Sequence, residues 1–224
     1  MGSGAQLNLR IPLILLAAIN LAILGMRLWP WQEVLNLPGN GSTAIDPAVC
    51  LLAYLGLIFF IGGNGHEPIQ KALSAGAILG LLAGVILIAQ VLLKTRFAAA
   101  DSFHPGLVRA GLLAAAGAVA GVAGLRGAKA GGNAGIGMLS GLWCAMVAGL
   151  LACTAVLVQM YLQGPPMPET QDPWRQYEGL AIGNSATQAL VNSLNSATWF
   201  LLIGPIAGAV MGLIFALFVQ AKKD

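Results

Sequence analysis

Long stretches of this chain contain no charged side chain at all. Between Glu178 and Lys222 lie 43 uncharged residues, and between Lys129 and Glu169 another 39. The intervals from Arg10 to Arg27, Asp46 to Glu67, Lys71 to Lys94 and Arg109 to Arg126 enclose a further 16, 20, 22 and 16. About 20 apolar helical residues cross the roughly 30 Å hydrocarbon core of a bilayer, and about 17 suffice. Soluble domains carry about 25% charged residues; this chain carries 8%, with a mean hydropathy of +0.81. The pattern excludes a soluble globular domain and points to a polytopic membrane protein.

The expected fold is all-α: a polytopic integral membrane helical bundle forming one domain over residues 1–224, with six transmembrane helices and one interfacial amphipathic helix. The spans are placed at about 11–28, 47–62, 69–93, 105–125, 135–162 and 199–220. Pro12 falls in the first turn of the first span, where a missing N–H costs little. Asp46-Pro47 reads as an N-cap followed by proline at the first helical position, and Gly62-Gly63-Asn64-Gly65 as the stop. Pro68 and Pro105 open the third and fourth spans, and Gly164-Pro165-Pro166 ends the fifth. A second Asp-Pro pair, Asp172-Pro173, announces a helix over about 173–196. Its Asn184, Gln188, Asn192 and Asn195 recur at helical spacing on one face, which suits a helix lying in the membrane interface.

Six spans put both termini on one side. That side would carry Arg10, Lys71, Arg126, Lys129, Lys222 and Lys223, the other Arg27, Lys94, Arg96, Arg109 and Arg175, a slight excess that places both termini in the cytoplasm. The Ala, Gly and Leu bias suggests a bacterial inner membrane. Trp29, Trp31, Trp174 and Trp199 then fall near the outer interface, where amphipathic rings settle. The apolar stretch after Arg10 reads as a retained span, since no small-x-small cleavage site follows it, and no lipid-anchor motif precedes it. Asn40-Gly41-Ser42 matches a glycosylation acceptor, weakly.

Thirty glycines are unevenly spread. Gly76, Gly80 and Gly84 in the third span and Gly204, Gly208 and Gly212 in the sixth recur at steps of four; Gly117 and Gly121 in the fourth and Gly137 and Gly141 in the fifth repeat the spacing. Small residues at this spacing let helices approach closely where lipid supplies no hydrophobic drive. They serve packing within the bundle or docking of another subunit. Pro205 is expected to kink the sixth span.

Few catalytic chemistries fit. No Asp or Glu lies inside a predicted span, so no carboxylate can carry a coupling ion across the midplane. His66-Glu67 and Asp101-x-x-His104 look suggestive singly, but the topology sets them on opposite faces and each falls short of a metal-ligand set. Cys50, Cys144 and Cys153 show no paired spacing and read as free, buried thiols. Ser140 lacks both the motif of an intramembrane nucleophile and a histidine base. No metal, cofactor or nucleic-acid partner is implied, and an enzyme is not expected.

The remaining polar positions are Asn20 in the first span, Gln90, Arg109 and Gln159 near one leaflet, and the Asn184, Gln188, Asn192, Asn195 face. They act as separate interhelical or interfacial contacts, or they line an outward pocket for a neutral or anionic small molecule. The chain is therefore expected to be a non-enzymatic structural or accessory subunit of a membrane assembly, in contact with lipids and with like or unlike membrane proteins. The alternative is a small transport component or channel.

Overall fold

In the computed structural model, which describes residues 10–29, 41–63, 67–96, 105–162 and 185–221, every element is helical apart from turns and a short 3-10 extension. The helices are α1 (Arg10–Leu28), α2 (Gly41–Gly63), α3 (Glu67–Arg96), α4 (Pro105–Gly131), α5 (Ala134–Leu162) and α6 (Ser185–Gln220). They pack as a helical bundle. Four stretches, Glu67–Leu93, Gly106–Gly131, Ala134–Leu162 and Leu190–Phe218, are long and apolar enough to cross a membrane; Arg10–Met26 and Ile45–Ile61 are shorter apolar helices.

Local chemistry explains three of the helix ends. α3 begins at Glu67 with Pro68 in its first turn, and the Glu67 carboxylate pairs with Lys71 Nζ one turn on at 2.8 Å. That order, acid before base four residues apart, also suits the helix dipole. Between α4 and α5 the chain reverses within Gly132 and Asn133. Gly132 has φ +68°, a left-handed conformation that glycine alone adopts without strain, and its N–H closes the end of α4 on Ala128 O at 2.8 Å. Asn133 Oδ1 then accepts from Gly135 N–H at 2.6 Å, capping α5.

Three sequence expectations need correction. α2 starts at Gly41, not at Pro47, and carries Pro47 buried inside the helix. A proline one and a half turns in removes a single backbone donor while keeping a helical φ, so the pair Asp46-Pro47 does not have to open the helix. The fourth helix continues past Leu125 to Gly131, so Arg126 and Lys129 lie on its exposed surface and not in a loop. The interfacial helix and the sixth span are, from Ser185 onward, one unbroken helix. No helix breaker lies between Ser196 and Trp199, and the polar face merges into the apolar one. Residues 173–184, and with them Trp174 and Asn184, lie outside the described residues, as do Trp31, Asn40, His66, Asp101, His104, Lys222 and Lys223.

α5 is the axis of the bundle. It touches α1, α3, α4 and α6, and 72% of its most apolar window is buried. Contacts along its length set directions: Gly76, Gly80 and Gly84 of α3 meet Ser140, Cys144 and Leu151 in ascending order, so α3 and α5 run parallel. Gly208 and Gly212 of α6 meet Ala145 and Gly141 in descending order, so α6 runs antiparallel to α5. The reversal at Gly132 and Asn133 makes α4 antiparallel to α5 as well. The helices α3 to α6 thus form a tightly interlocked core. α1 and α2 flank it, α1 against α5 and α2 against α6. One large apolar cluster joins all but α4, with Leu24, Leu51, Ile58, Met146, Leu150, Leu157, Leu194 and Leu201 fully buried.

Candidate functional site

Several glycines sit where an added Cβ would collide with a neighbouring helix. A Cβ built on Gly76 would lie 2.6 Å from Ser140 O, and one on Gly80 2.6 Å from Cys144 O and 2.7 Å from Val147 Cβ. A Cβ on Gly84 would run into Leu151. Across the α5–α6 interface, a Cβ on Gly141 would meet Gly212 Cα at 2.8 Å, with Gly208 O nearer still, and one on Gly212 would meet Gly137 O at 2.9 Å. Gly208 abuts Ala145, and Gly137 abuts Ala216 and Gly124 O, while Gly121 lies beneath the ring of Phe215. Gly76, Gly141 and Gly212 thus meet backbone atoms of the neighbouring helix, while Gly84 and Gly121 face side chains. Two glycines of the same stripes differ: Gly117 has nothing within 4 Å, and Gly204 has only Ala145 O at 3.9 Å. Gly124 and Gly127 of α4, outside the four-step stripes, are in close contact with Gly212 and Ser140.

The glycines of α4 divide the helix in two. From Gly121 onward each one is packed against α5 or α6; Gly106, Gly111 and Gly117 face open space. Around them Ala110, Ala114, Ala115 and Ala118 are exposed as well. Leu107, 73% exposed, and Leu113 stand among them, and the outer surfaces of the other helices are apolar too. They carry large apolar side chains such as Phe59, Phe60, Leu81, Leu82, Val85, Ile206 and Phe218, of which Phe60 is 77% exposed.

Interior polar groups meet mainly backbone carbonyls. Asn20 on α1, fully buried, donates from Nδ2 to Leu150 O of α5 at 3.1 Å, and Thr154 Oγ1 donates to the same oxygen at 2.8 Å. On the neighbouring side, Tyr54 of α2 donates its hydroxyl to Leu201 O of α6 at 2.9 Å. Gly149 makes room there, because a Cβ on it would stand 2.9 Å from Phe200 O and 3.0 Å from the Tyr54 hydroxyl. Nearer the other end, Ser140 Oγ donates to Ala72 O at 2.9 Å. Ser140 also abuts Gly127, so Lys71, Arg126 and Lys129 gather at that end of the bundle. Asn20 Oδ1, Gln90 Oε1 and Trp143 Nε1 are buried with no hydrogen-bond partner among the described residues.

The sequence-derived polar set is spread over several environments. Asn20 and Gln90 are buried, Gln159 is half-buried, and Arg109, Asn192 and Asn195 are exposed. Asn184 and the side chain of Gln188 lie outside the described residues. A groove of about 290 Å³ near the end of α6 is lined by Ile214, Leu217, Phe218 and Ala221, none of them from that set. Among the described residues no group of three His, Cys, Asp or Glu side chains could hold a metal ion. The three cysteines are free, Cys144 and Cys153 buried and Cys50 half-buried.

Sequence reasoning did not single out Tyr54. The signal was indirect: Pro205 has no N–H for the carbonyl four residues earlier, so Leu201 O needs another donor. Which residue supplies it depends on how α2 and α6 meet, which periodicity does not encode. No protein-family model, curated protein or solved structure matches the chain.

Proposed function

We propose that the chain is an integral membrane protein whose six helices all cross the bilayer, and that it works as a non-enzymatic structural or accessory subunit, docking through the outer face of α4. Membrane insertion is supported by the bundle exterior, where Phe59, Val85 and Phe218 are 66%, 62% and 70% exposed in a chain with 8% charge. Water-soluble monomers rarely expose apolar surface of this kind contiguously. The two shorter apolar helices, α1 and α2, reach the minimum of about 17 residues for a span. With Lys71, Arg126 and Lys129 at one end, the positive-inside tendency sets that end and both termini in the cytoplasm, in a bacterial inner membrane.

The observation that carries the subunit reading is the run of small residues in the first half of α4. Gly106, Ala110, Gly111, Ala114 and Ala118 stand beside the exposed Leu107 and Leu113 and are covered by no helix among the described residues. Such a face gains most from another helix, whose backbone it admits closely. Most other glycines pack within the bundle, and Gly25 and Gly56 stand singly on α1 and α2, so the run on α4 is where a partner fits. A photo-reactive amino acid at Ala114 or Ala118 is expected to cross-link to a discrete protein in native membranes, and one at Phe60 to lipid. Lipid adducts alone at all three positions would reject the docking face.

A second reading, a small transport component or channel for a neutral or anionic molecule, draws on the unpartnered Asn20 Oδ1 and Gln90 Oε1 in the interior. It requires solute flux in vesicles containing this chain alone, lowered by Asn20→Leu or Gln90→Leu.

A further inference from the structure

The sequence contains no long run of basic residues, but the fold brings three cations together on one side of a single helix seam. Ser140 of α5 donates to Ala72 O of α3 at 2.9 Å and also abuts Gly127 of α4. Lys71 and Arg126, each the preceding neighbour of one of those residues, therefore stand at the same level of the bundle, and Lys129 lies less than one turn beyond Arg126. Helical spacing fixes the side on which they stand. Leu79 and Ala83 of α3 form the seam with Val119 and Ala123 of α4. On α3, Gly76 and Gly80 turn to α5 from one side of Leu79, and Lys71 lies on the other. On α4, Gly127 turns to Ser140 from one side of Ala123, and Arg126 and then Lys129 lie on the other. All three cations are exposed, the Lys71 side chain by 65%.

Glu67, whose carboxylate lies 2.8 Å from Lys71 Nζ, offsets one of the three positive charges. An exposed pair of this kind contributes little, so Lys71 can turn from it to a stronger anion. Further along the two helices, the same side of the seam is apolar: Ile78 and Leu82 of α3 are 63% and 52% exposed, and Val122 of α4 38%. A cationic rim continuous with an exposed apolar groove matches a phospholipid, with its phosphate at the rim and an acyl chain along the groove. A free phosphate ion would leave the apolar part uncovered. We propose that the outer side of the α3–α4 seam binds one anionic phospholipid, its headgroup held by Lys71, Arg126 and Lys129 and an acyl chain laid along Ile78, Leu82 and Val122. The site presupposes membrane insertion as proposed above. Basic pockets between transmembrane helices on the cytoplasmic side hold anionic headgroups in this way. Arg126 offers the phosphate a two-pronged donor and the lysines offer point charges. The cations occupy the second half of α4, so the small-residue run of its first half stays open to a protein.

The test is native mass spectrometry of the full chain in detergent, titrated with phosphatidylglycerol or with phosphatidylcholine of the same acyl chains. The wild type is expected to bind phosphatidylglycerol at least about tenfold more tightly. Arg126→Gln and Lys129→Gln are each expected to weaken that binding about fivefold, the factor that goes with one cation at an anionic lipid surface. Arg109→Gln, the same change of charge at the far end of α4 and beyond screening distance, is expected to weaken it by less than about twofold. Glu67→Gln, which removes the competing carboxylate, is expected to tighten it. These side chains are all exposed, so the substitutions leave the bundle packing in place. Equal affinity for the two lipids, or equal losses from Arg109→Gln and Arg126→Gln, would overturn the site. Failure of the membrane reading shows separately: a chain released from native membranes by alkaline carbonate is not integral, whereas a chain that stays in them and binds both lipids equally defeats the lipid site alone.

Discussion

Replacing Gly141 by alanine adds one methyl group where the structure has no space for it. The added Cβ would meet Gly212 Cα at 2.8 Å and Gly212 N at 3.1 Å, with Gly208 O closer again, and all three are backbone atoms that no rotamer change can move aside. Restoring ordinary contact at 3.4 Å forces α6 back by more than half an ångström. That retreat also loosens Gly137 against Ala216 and Gly208 against Ala145, so the strain spreads along the whole interface. Overpacking of this kind costs about 1–3 kcal/mol, which for a chain of this size is a fall of roughly 3–10 °C in Tm. The assay is thermal unfolding of the detergent-purified protein, followed by loss of the monodisperse peak. Gly56→Ala on the outer face of α2 is the matched control, because its Cβ meets nothing within 4 Å. Equal Tm values for the wild type, Gly141→Ala and Gly56→Ala would refute the claim that α5 and α6 meet backbone to backbone.

Other perturbations separate the remaining parts of the account. Asn20→Leu removes one bond to Leu150 O, but that carbonyl keeps the Thr154 hydroxyl, and the unpartnered Asn20 Oδ1 disappears with it. Thermal stability is therefore expected to stay level or rise by up to about 1 kcal/mol, and a loss above about 2 kcal/mol would mean that Oδ1 has a partner that matters. Ser140→Ala gives up the bond to Ala72 O for about 0.6 kcal/mol, whereas Ser140→Val, thickening the side chain beneath Gly76 and Gly127, is expected to destabilise more than Ser140→Ala in the same unfolding assay. A membrane-permeant maleimide is expected to modify Cys50 alone in the native protein and all three cysteines after denaturation in SDS; rapid native labelling of Cys144 or Cys153 would contradict their burial.

Much of the architecture is legible from charge and glycine alone. Six charge-free windows correspond to six helices among the described residues, four of them long and apolar enough to cross a membrane. Helix boundaries were less legible. Asp46-Pro47 has the chemistry of a helix start, but proline forbids only one hydrogen bond and not the helical backbone, so α2 could begin earlier at Gly41. Gly124, Gly127 and Gly131 near the expected end of α4 look like helix breakers, yet they pack against Gly212, Ser140 and Ile136, and tertiary contact offsets their weak propensity. The four-step spacing could not tell Gly121, beneath Phe215, from Gly117, which touches nothing. That difference depends on where α4 diverges from its neighbours. Interior polar contacts were least legible, since Tyr54 and Asn20 bond to carbonyls, which every residue possesses and no sequence pattern marks.

The most direct measurement is native mass spectrometry of the chain extracted from its own membrane in lipid nanodiscs, wild type beside Gly111→Leu. Gly111 has nothing within 4 Å, so a leucine there leaves the bundle itself undisturbed. The account predicts a stoichiometric complex for the wild type, with a second membrane chain or a further copy of this one, and a folded monomer for the variant. A wild-type chain that emerges alone, or a complex unchanged by Gly111→Leu, would contradict a subunit docking through the outer face of α4.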